Sequence, residues 1–298
     1  MSYNIKAGTN KFYDSKVGPH TGSKAGSKAC DYRKQNTIPG ITDITDITDS
    51  TDITVITAIT GITGIAEVIA AQSPDVVALQ EVDRGRLRSG GIDQVRWLGD
   101  RLGYRYAYAP AFATSEDDGT KGEYGNALLS RFPLLSWEVI PLWHRNHLLP
   151  GEPGWVIEPR CCFVGRLLTP RTNPHSRIRM GSSSSVTVVG LHLSTTVDQR
   201  ARQLEQVADL VTECGDTPLV LMGDFNAGHE ELRRSRLSGL LDNIFACNPV
   251  STFPSGAAAR AAIDHIYVSS HWLVKAVWVV SERLDRSDHN PVVADLEL

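Results

Sequence analysis

Three short strings of this 298-residue chain carry side chains able to do chemistry together. Gly223-Asp224-Phe225-Asn226 and Ser287-Asp288-His289-Asn290 each adjoin an apolar, strand-like run, and Glu81 ends another in Leu79-Gln80-Glu81-Val82-Asp83. Oxygen donors suit a hard cation such as Mg²⁺, with Mn²⁺ as the alternative, and imidazole beside carboxylate suits proton transfer. The combination points to metal-assisted phosphoryl hydrolysis.

Asp224 and Asn226 alternate across Phe225, so at strand spacing they share a face while Phe225 points into packing. Asp224 can accept a proton from an attacking water or position it; Asn226 can donate to a phosphate oxygen or hold that water. The same pair also reads as an ordinary strand-to-loop turn. His289 can act as a base if a second carboxylate orients its ring, and Asp264 in Ile263-Asp264-His265-Ile266 is the candidate orienter. His192, in Leu191-His192-Leu193-Ser194, reads either as a hydrogen-bonded core histidine or as a second imidazole that stabilises phosphoryl charge or protonates a leaving oxygen. Glu158 and Arg160 could orient His192, clamp a phosphate, or form a surface ion pair. Asn126, in Gly125-Asn126-Ala127, lines a site or starts a strand. Asn4 in Ser2-Tyr3-Asn4-Ile5 ligates a metal, orients a carboxylate or forms a turn.

The elements that must position these groups alternate between strand and helix. Val76-Val77-Ala78-Leu79 and Leu219 to Met222 are continuous apolar runs, the mark of strands buried on both faces. Strands are also expected over Asn126 to Ser130, Cys161 to Leu168, Val186 to Leu193, Ile263 to Val268, Val274 to Val280 and Pro291 to Leu298. Helices are expected over Asp93 to Leu102, Asp198 to Cys214 and Leu232 to Leu241. The pattern is mixed α/β with two sheets inside layers of helices.

Residues 6–40 differ from the rest. Seven basic residues against two acidic ones leave a local charge of +5 in a Gly-, Ser- and Thr-rich stretch, which reads as a flexible basic loop with nucleic-acid contact as the minor reading. From Ile41 an Ile-Thr-Asp triplet repeats. A period of three fits neither strand nor helix. It reads as a low-complexity expansion running to about residue 61, ahead of a helix from Ile62 to Ala71 that Ser73-Pro74 stops.

Hydrophobic residues make up 41% and charged residues 21%, with a net charge of −4; these are the proportions of a soluble globular chain, with no global pull toward nucleic acid. Five cysteines without metal-ligand spacing fit a reduced, cytoplasmic chain. No unbroken apolar run approaches the roughly 18 residues that span a bilayer. Nothing calls for an obligate partner subunit, so a monomer is expected.

Taken in order, Ser2-Tyr3-Asn4-Ile5, Pro74 to Asp83, Gly125 to Arg131, Leu191 to Ser194, Gly223 to Ala227, Ile263 to Val268 and Ser287 to Val292 resemble the endonuclease/exonuclease/phosphatase superfamily of DNase I-like phosphohydrolases. The resemblance implies a four-layer α/β/β/α sandwich: one domain over 1–298, with an insertion at about 6–61. It implies that Asn4, Glu81 and Asp288 serve the divalent metal, that Asp224 and Asn226 position the water, and that Asp264 and His289 pair, with His192 as a second active-site imidazole. It leaves Asn126, Glu158 and Arg160 as candidate substrate contacts. Two departures stand out. Few residues precede Tyr3-Asn4, so the first strand is expected to be frayed or to begin upstream, and the loop after Asn4 is long. The competing reading is a fold member that binds without catalysis, or a nuclease using the basic arm. Residues 104–124 and 141–158 are expected at the rim, where their aromatics would stack bases or sugars, cover a lipid headgroup, or pack.

Overall fold

The computed structural model describes residues 1–4, 53–170, 183–281 and 287–298. The basic stretch 6–40 and the first Ile-Thr-Asp triplets lie outside the described residues.

The first six strands in chain order are β1 (Ser2–Asn4), β2 (Val76–Arg84), β3 (Arg105–Ser115), β4 (Lys121–Ser130), β5 (Leu134–Leu142) and β6 (Arg160–Pro170). They are followed by β7 (Ser183–His192), β8 (Leu219–Asp224), β9 (Asp242–Asn243), β10 (Asp264–Val268), β11 (Leu273–Val279) and β12 (Val292–Glu297). Two six-stranded sheets result, in the orders β11-β12-β1-β2-β4-β3 and β5-β6-β7-β8-β10-β9. Both are mixed, and the sandwich of two sheets flanked by helices is the architecture expected of the sequence. Ala78, Leu128, Phe163, Val188, Met222 and Ile266 fill the space between the sheets. Each large apolar side chain buried there contributes about 1.5–3 kcal/mol.

Helices α1 (Ile53–Gln72) and α2 (Gln94–Leu102) cover the first sheet, and α3 (Val197–Glu213) covers the second. Asp93 caps α2 by accepting from the Arg96 N–H, and Gly103 ends it in the left-handed region at φ 71°, where a Cβ would be costly. α3 turns Leu204, Val207, Ala208 and Val211 inward.

α1 corrects two expectations. It begins at Ile53, so the last isoleucine triplets are helical. At 100° per residue a row spaced by three winds around the helix: Ile56 is exposed, Ile59 half-buried, and Ile62 and Ile65 fully buried. The row thus spirals into the core and continues through Val68 and Ile69. The stretch Thr54–Gln72 is also long and apolar enough, by length and composition, to cross a membrane, with a mean hydropathy of 1.7. Its inner face is packed on the first sheet, which accounts for the apolar content; threonines break the runs that a scan for consecutive apolar residues needs.

One further expectation is corrected. Leu232 to Leu241 is not one helix: a single turn, α4 (His229–Leu232), is separated by Ser235, in extended conformation, from a 3-10 turn over Arg236–Gly239. Residues 105–115, expected at the rim, form an edge strand paired with β4. β5 was hidden because it is an edge strand whose exposure does not alternate cleanly. β1 is three residues long yet sits between β12 and β2, with Asn4 opposite Gln80.

Candidate active site

Strand register assembles one row of the site. β7 lies parallel to β8 with His192 opposite Asp224, and β10 lies antiparallel to β8 with Asp264 opposite Asp224. Cross-strand neighbours project to the same face, so His192, Asp224 and Asp264 stand side by side. All three are buried. Gly223 is required in this row: a Cβ there would lie 2.1 Å from the Leu191 carbonyl oxygen.

His289 arrives from the loop before β12, on the other sheet. Its Nδ1–H donates to Asp264 Oδ2 at 2.8 Å, and its Nε2 lies 3.8 Å from Asp224 Oδ2. The loop 252–256 fixes this meeting. Thr252 Oγ1 accepts from the Asp264 N–H at 3.3 Å, its carbonyl accepts from the Asn290 N–H at 2.7 Å, and Phe253 packs its ring 5.0 Å from the His289 ring. The Ser287 hydroxyl accepts from the His289 N–H at 3.0 Å.

Asn226 closes the row from the far side. Its backbone is left-handed at φ 48°. That conformation aims its N–H at Asp224 Oδ1, 2.8 Å away, while its amide donates to the Leu193 carbonyl at 2.9 Å and meets His192 Nε2 at 3.1 Å. With Nε2 accepting, the His192 proton is on Nδ1.

The two imidazoles flank one carboxylate oxygen in opposite states. Burial, then the nearby Arg160 and His289, push the His192 pKa well below its usual value. His192 is neutral, so its 3.5 Å approach to Asp224 Oδ2 is not an ion pair. For His289 burial also works against charge, but Asp264 and Asp224 more than offset it and raise the pKa to about 10. The field of the two carboxylates thus favours the imidazolium form of His289. Asp288, half-buried beside it, adds to the negative field.

The other sheet contributes differently. Glu81 sits in a bulge of β2 between Leu79 and Val82, in the left-handed region at φ 59°. Such a conformation costs about 1–3 kcal/mol for a non-glycine residue and persists only where the surroundings impose it. Arg160, nearly buried, donates to Glu158 at 3.1 Å, and its Nε has no hydrogen-bond partner among the described residues. Burial disfavours its charge, but Tyr124, Glu158 and Glu81 hold it cationic. Arg88 spans to the fully buried Asp83 through two 2.8 Å bonds and lies over the Tyr124 ring. The Asn126 amide, buried, donates to the Cys161 carbonyl at 2.8 Å, a bond from β4 to β6 that ties the sheets together. Asn4 has its backbone in register beside Glu81's strand, and its side chain lies outside the described residues.

His192, Asp224, Asn226, Asp264 and His289 are thus brought into one cluster, with Glu81, Glu158 and Arg160 linked to it through Arg160's field on His192. Thr252, Phe253, Tyr124 and Arg88 were not singled out for their contacts with these groups. No local signal marks them, because each acts through a partner remote in sequence.

A sequence model of the Endonuclease/Exonuclease/phosphatase family matches residues 60–289. The uncharacterized protein YbhP of Escherichia coli strain K12 is 27% identical over 247 residues, spanning 78% of this chain and 87% of its own. Among solved structures, a mannosyl-6-phosphatase of Bacteroides thetaiotaomicron superposes with a TM-score of 0.58 at 20% identity, over 81% of this chain and 92% of that one. The human Nocturnin catalytic domain with bound sulfate gives 0.55 at 20% identity, over 80% and 86%. Danio rerio TDP2 complexed with a single-strand DNA product gives 0.56 at 17% identity, over 85% and 96%. At these identities the structural likeness is one of fold. The match over most of the chain places it in the endonuclease/exonuclease/phosphatase family.

Proposed function

We propose that this chain is a divalent-metal-dependent hydrolase that cleaves a phosphate ester by in-line attack of water. The observation that carries the reading is the cluster of Asp224, Asp264 and His289, whose donor atoms lie within 4.8 Å of one another, with His192 on the same carboxylate oxygen.

The donor set fits a hard cation. Carboxylates dominate, no cysteine is among them, and Asp264 Oδ1 is buried with no hydrogen-bond partner among the described residues, a state that an oxygen-ligated cation or charged ligand nearby would relieve. Glu81, Asn4 and Asp288 are the residues we assign to the metal. When bound, Mg²⁺ or Mn²⁺ offsets charge on the phosphoryl group.

The chain's own groups do the rest. Asp224, oriented by the Asn226 N–H, takes the proton of the attacking water. The water oxygen bonds to phosphorus, the bond to the leaving oxygen breaks on the opposite side, the leaving oxygen takes a proton from solvent water, and Asp224 returns its own proton to solvent. The His289 imidazolium, held by Asp264, stabilises charge gathering on the phosphoryl oxygens. His192 and Asn226 form a neutral wall that keeps Asp224 aligned. Arg160, through its Nε, is the cation we assign to the phosphate itself.

The test is hydrolysis of bis(p-nitrophenyl) phosphate and p-nitrophenyl phosphate by purified protein. The reading expects turnover that EDTA abolishes and added Mg²⁺ or Mn²⁺ restores. Absence of turnover with either cation, in protein that is folded by circular dichroism, would make this a binding member of the fold.

A further inference from the structure

β7 ends at His192, but the chain stays buried through Leu193 and Ser194. Leu193 is held by the end of the neighbouring strand. Its N–H donates to the Asp224 carbonyl at 2.9 Å, and its own carbonyl accepts the Asn226 amide at 2.9 Å. The Ser194 peptide lies one step further on. A buried peptide group without a partner is costly, and α3 supplies both partners. Gln203 Oε1 accepts from the Ser194 N–H at 2.7 Å, and Arg200 Nη1 donates to the Ser194 carbonyl at 3.0 Å.

These two side chains belong to a polar stretch of the helix's inner face. The later turns of α3 point Leu204, Val207, Ala208 and Val211 inward, whereas its first turns bury Gln199, Arg200 and Gln203. Spacings of one, three and four residues keep the three on one side of the helix. Each reaches out to another segment. The Gln203 amide donates to the Trp143 carbonyl at 2.8 Å. Gln199 accepts from the Arg145 N–H at 2.9 Å and donates to the Val156 carbonyl at 2.6 Å. Arg200 forks onto Glu231 of α4, shortly past Asn226, through bonds of 2.7 and 2.8 Å. Apolar residues would fill the same space without the desolvation cost of a charge and two amides. What the polar set adds is one defined path for the backbone that it grips.

We propose that Gln203 and Arg200 are positioning residues for the hydrolysis. They hold the Ser194 peptide from both sides and so fix the Leu193 carbonyl. That carbonyl holds the Asn226 amide, which keeps the Asn226 N–H on Asp224 Oδ1. Gln199 holds the loop at Arg145 and Val156 and the Thr196 hydroxyl, and stands outside that chain. The catalytic role rests on the hydrolase reading above; the chain of contacts does not.

The experiment compares Gln203→Met, Arg200→Lys and Gln199→Met with the wild type in two measurements: bis(p-nitrophenyl) phosphate hydrolysis at saturating Mg²⁺, and hydrogen exchange of the Asn226 N–H followed by NMR. Gln203→Met should lower kcat about ten-fold, a size within reach of residues coupled in one hydrogen-bond network, with KM and the Mg²⁺ midpoint unchanged. It should speed exchange of the Asn226 N–H by a similar factor. Arg200→Lys, which keeps the charge but loses the fork, should repeat both changes, and it carries the same readouts if Gln203→Met does not fold. Gln199→Met should lower the melting temperature but leave kcat and the exchange as in the wild type. In an Asn226→Ala background Gln203→Met should cost less than about two-fold in kcat, because the contact it works through is gone. Equal losses of kcat from Gln199→Met and Gln203→Met, or an undiminished loss in the Asn226→Ala background, would reduce the pair to structural residues and overturn the positioning role. Unaltered exchange in both Gln203→Met and Arg200→Lys would overturn it as well. A wild type that cleaves nothing with Mg²⁺ or Mn²⁺, while exchange responds as expected, would sink the hydrolase reading and uphold the alignment of Asp224.

Discussion

The two sheets build their shares of the site by different means. On the second sheet three adjacent strands, β7, β8 and β10, put His192, Asp224 and Asp264 in register, and direct hydrogen bonds lock Asn226 and His289 onto them. On the first sheet Glu81 is displaced by a bulge into a left-handed backbone, and its neighbourhood is a field of charges around Arg160 and Tyr124. One half is preassembled by sheet geometry; the other is held under backbone strain. On the proposed function, the rigid row is the half suited to keeping a base aligned, and the strained carboxylate is the half suited to a ligand that repays the strain.

The largest expected effect comes from the rigid row. Asp224→Asn should lower the rate of phosphodiester hydrolysis by about 10⁴-fold, the upper range for loss of a positioned base, with the melting temperature little changed. His289→Ala should cost about 10²-fold or more, read in kcat at saturating cation. On the other sheet, Glu81→Gln should act through the cation instead: the Mg²⁺ concentration for half-activation rises about 10- to 100-fold, which a titration of rate against Mg²⁺ resolves.

The two imidazoles supply a pH test within the rigid half. His289 has a raised folded pKa, so its stabilisation is fully present below the unfolded value of about 6.5 and is lost as pH rises through about 10. His192 has a lowered folded pKa, so the fold loses stability as pH falls below about 6.5, where the unfolded chain takes up the proton. Denaturation followed across pH should show both slopes. His289→Asn should flatten the alkaline one, and His192→Asn the acidic one. The smallest effect belongs to the tie between the sheets: Asn126→Ala should lower unfolding free energy by about 1–3 kcal/mol and leave kcat unchanged. A loss confined to kcat would return Asn126 to the substrate-contacting set.

The strings around Asp224, Asp264 and His289 were legible in the sequence because each ends or begins a strongly apolar strand; Asn226, expected at strand spacing from Asp224, instead meets it through a turn beyond the end of β8. The left-handed backbone of Glu81 and Asn226 was not legible, since neither residue is a glycine that would announce it. The raised pKa of His289 was not legible for a related reason. A sequence shows that a carboxylate orients the ring but not that a second one, Asp224, lies 3.8 Å from its other nitrogen. α1 was truncated because the isoleucine triplets break the helical period locally, and only packing against the first sheet decides the matter. Thr252 and Phe253 touch the site across tens of residues, through contacts that exist only once β10 and the last loop have met.

One titration tests the division of labour most directly: bis(p-nitrophenyl) phosphate hydrolysis against Mg²⁺ concentration for the wild type, Glu81→Gln and His289→Ala. Glu81→Gln is expected to move the curve to higher Mg²⁺ and reach nearly the same plateau, while His289→Ala keeps the midpoint and loses the plateau. Hydrolysis indifferent to Mg²⁺, or a plateau lost by Glu81→Gln and a midpoint shifted by His289→Ala, would contradict that division.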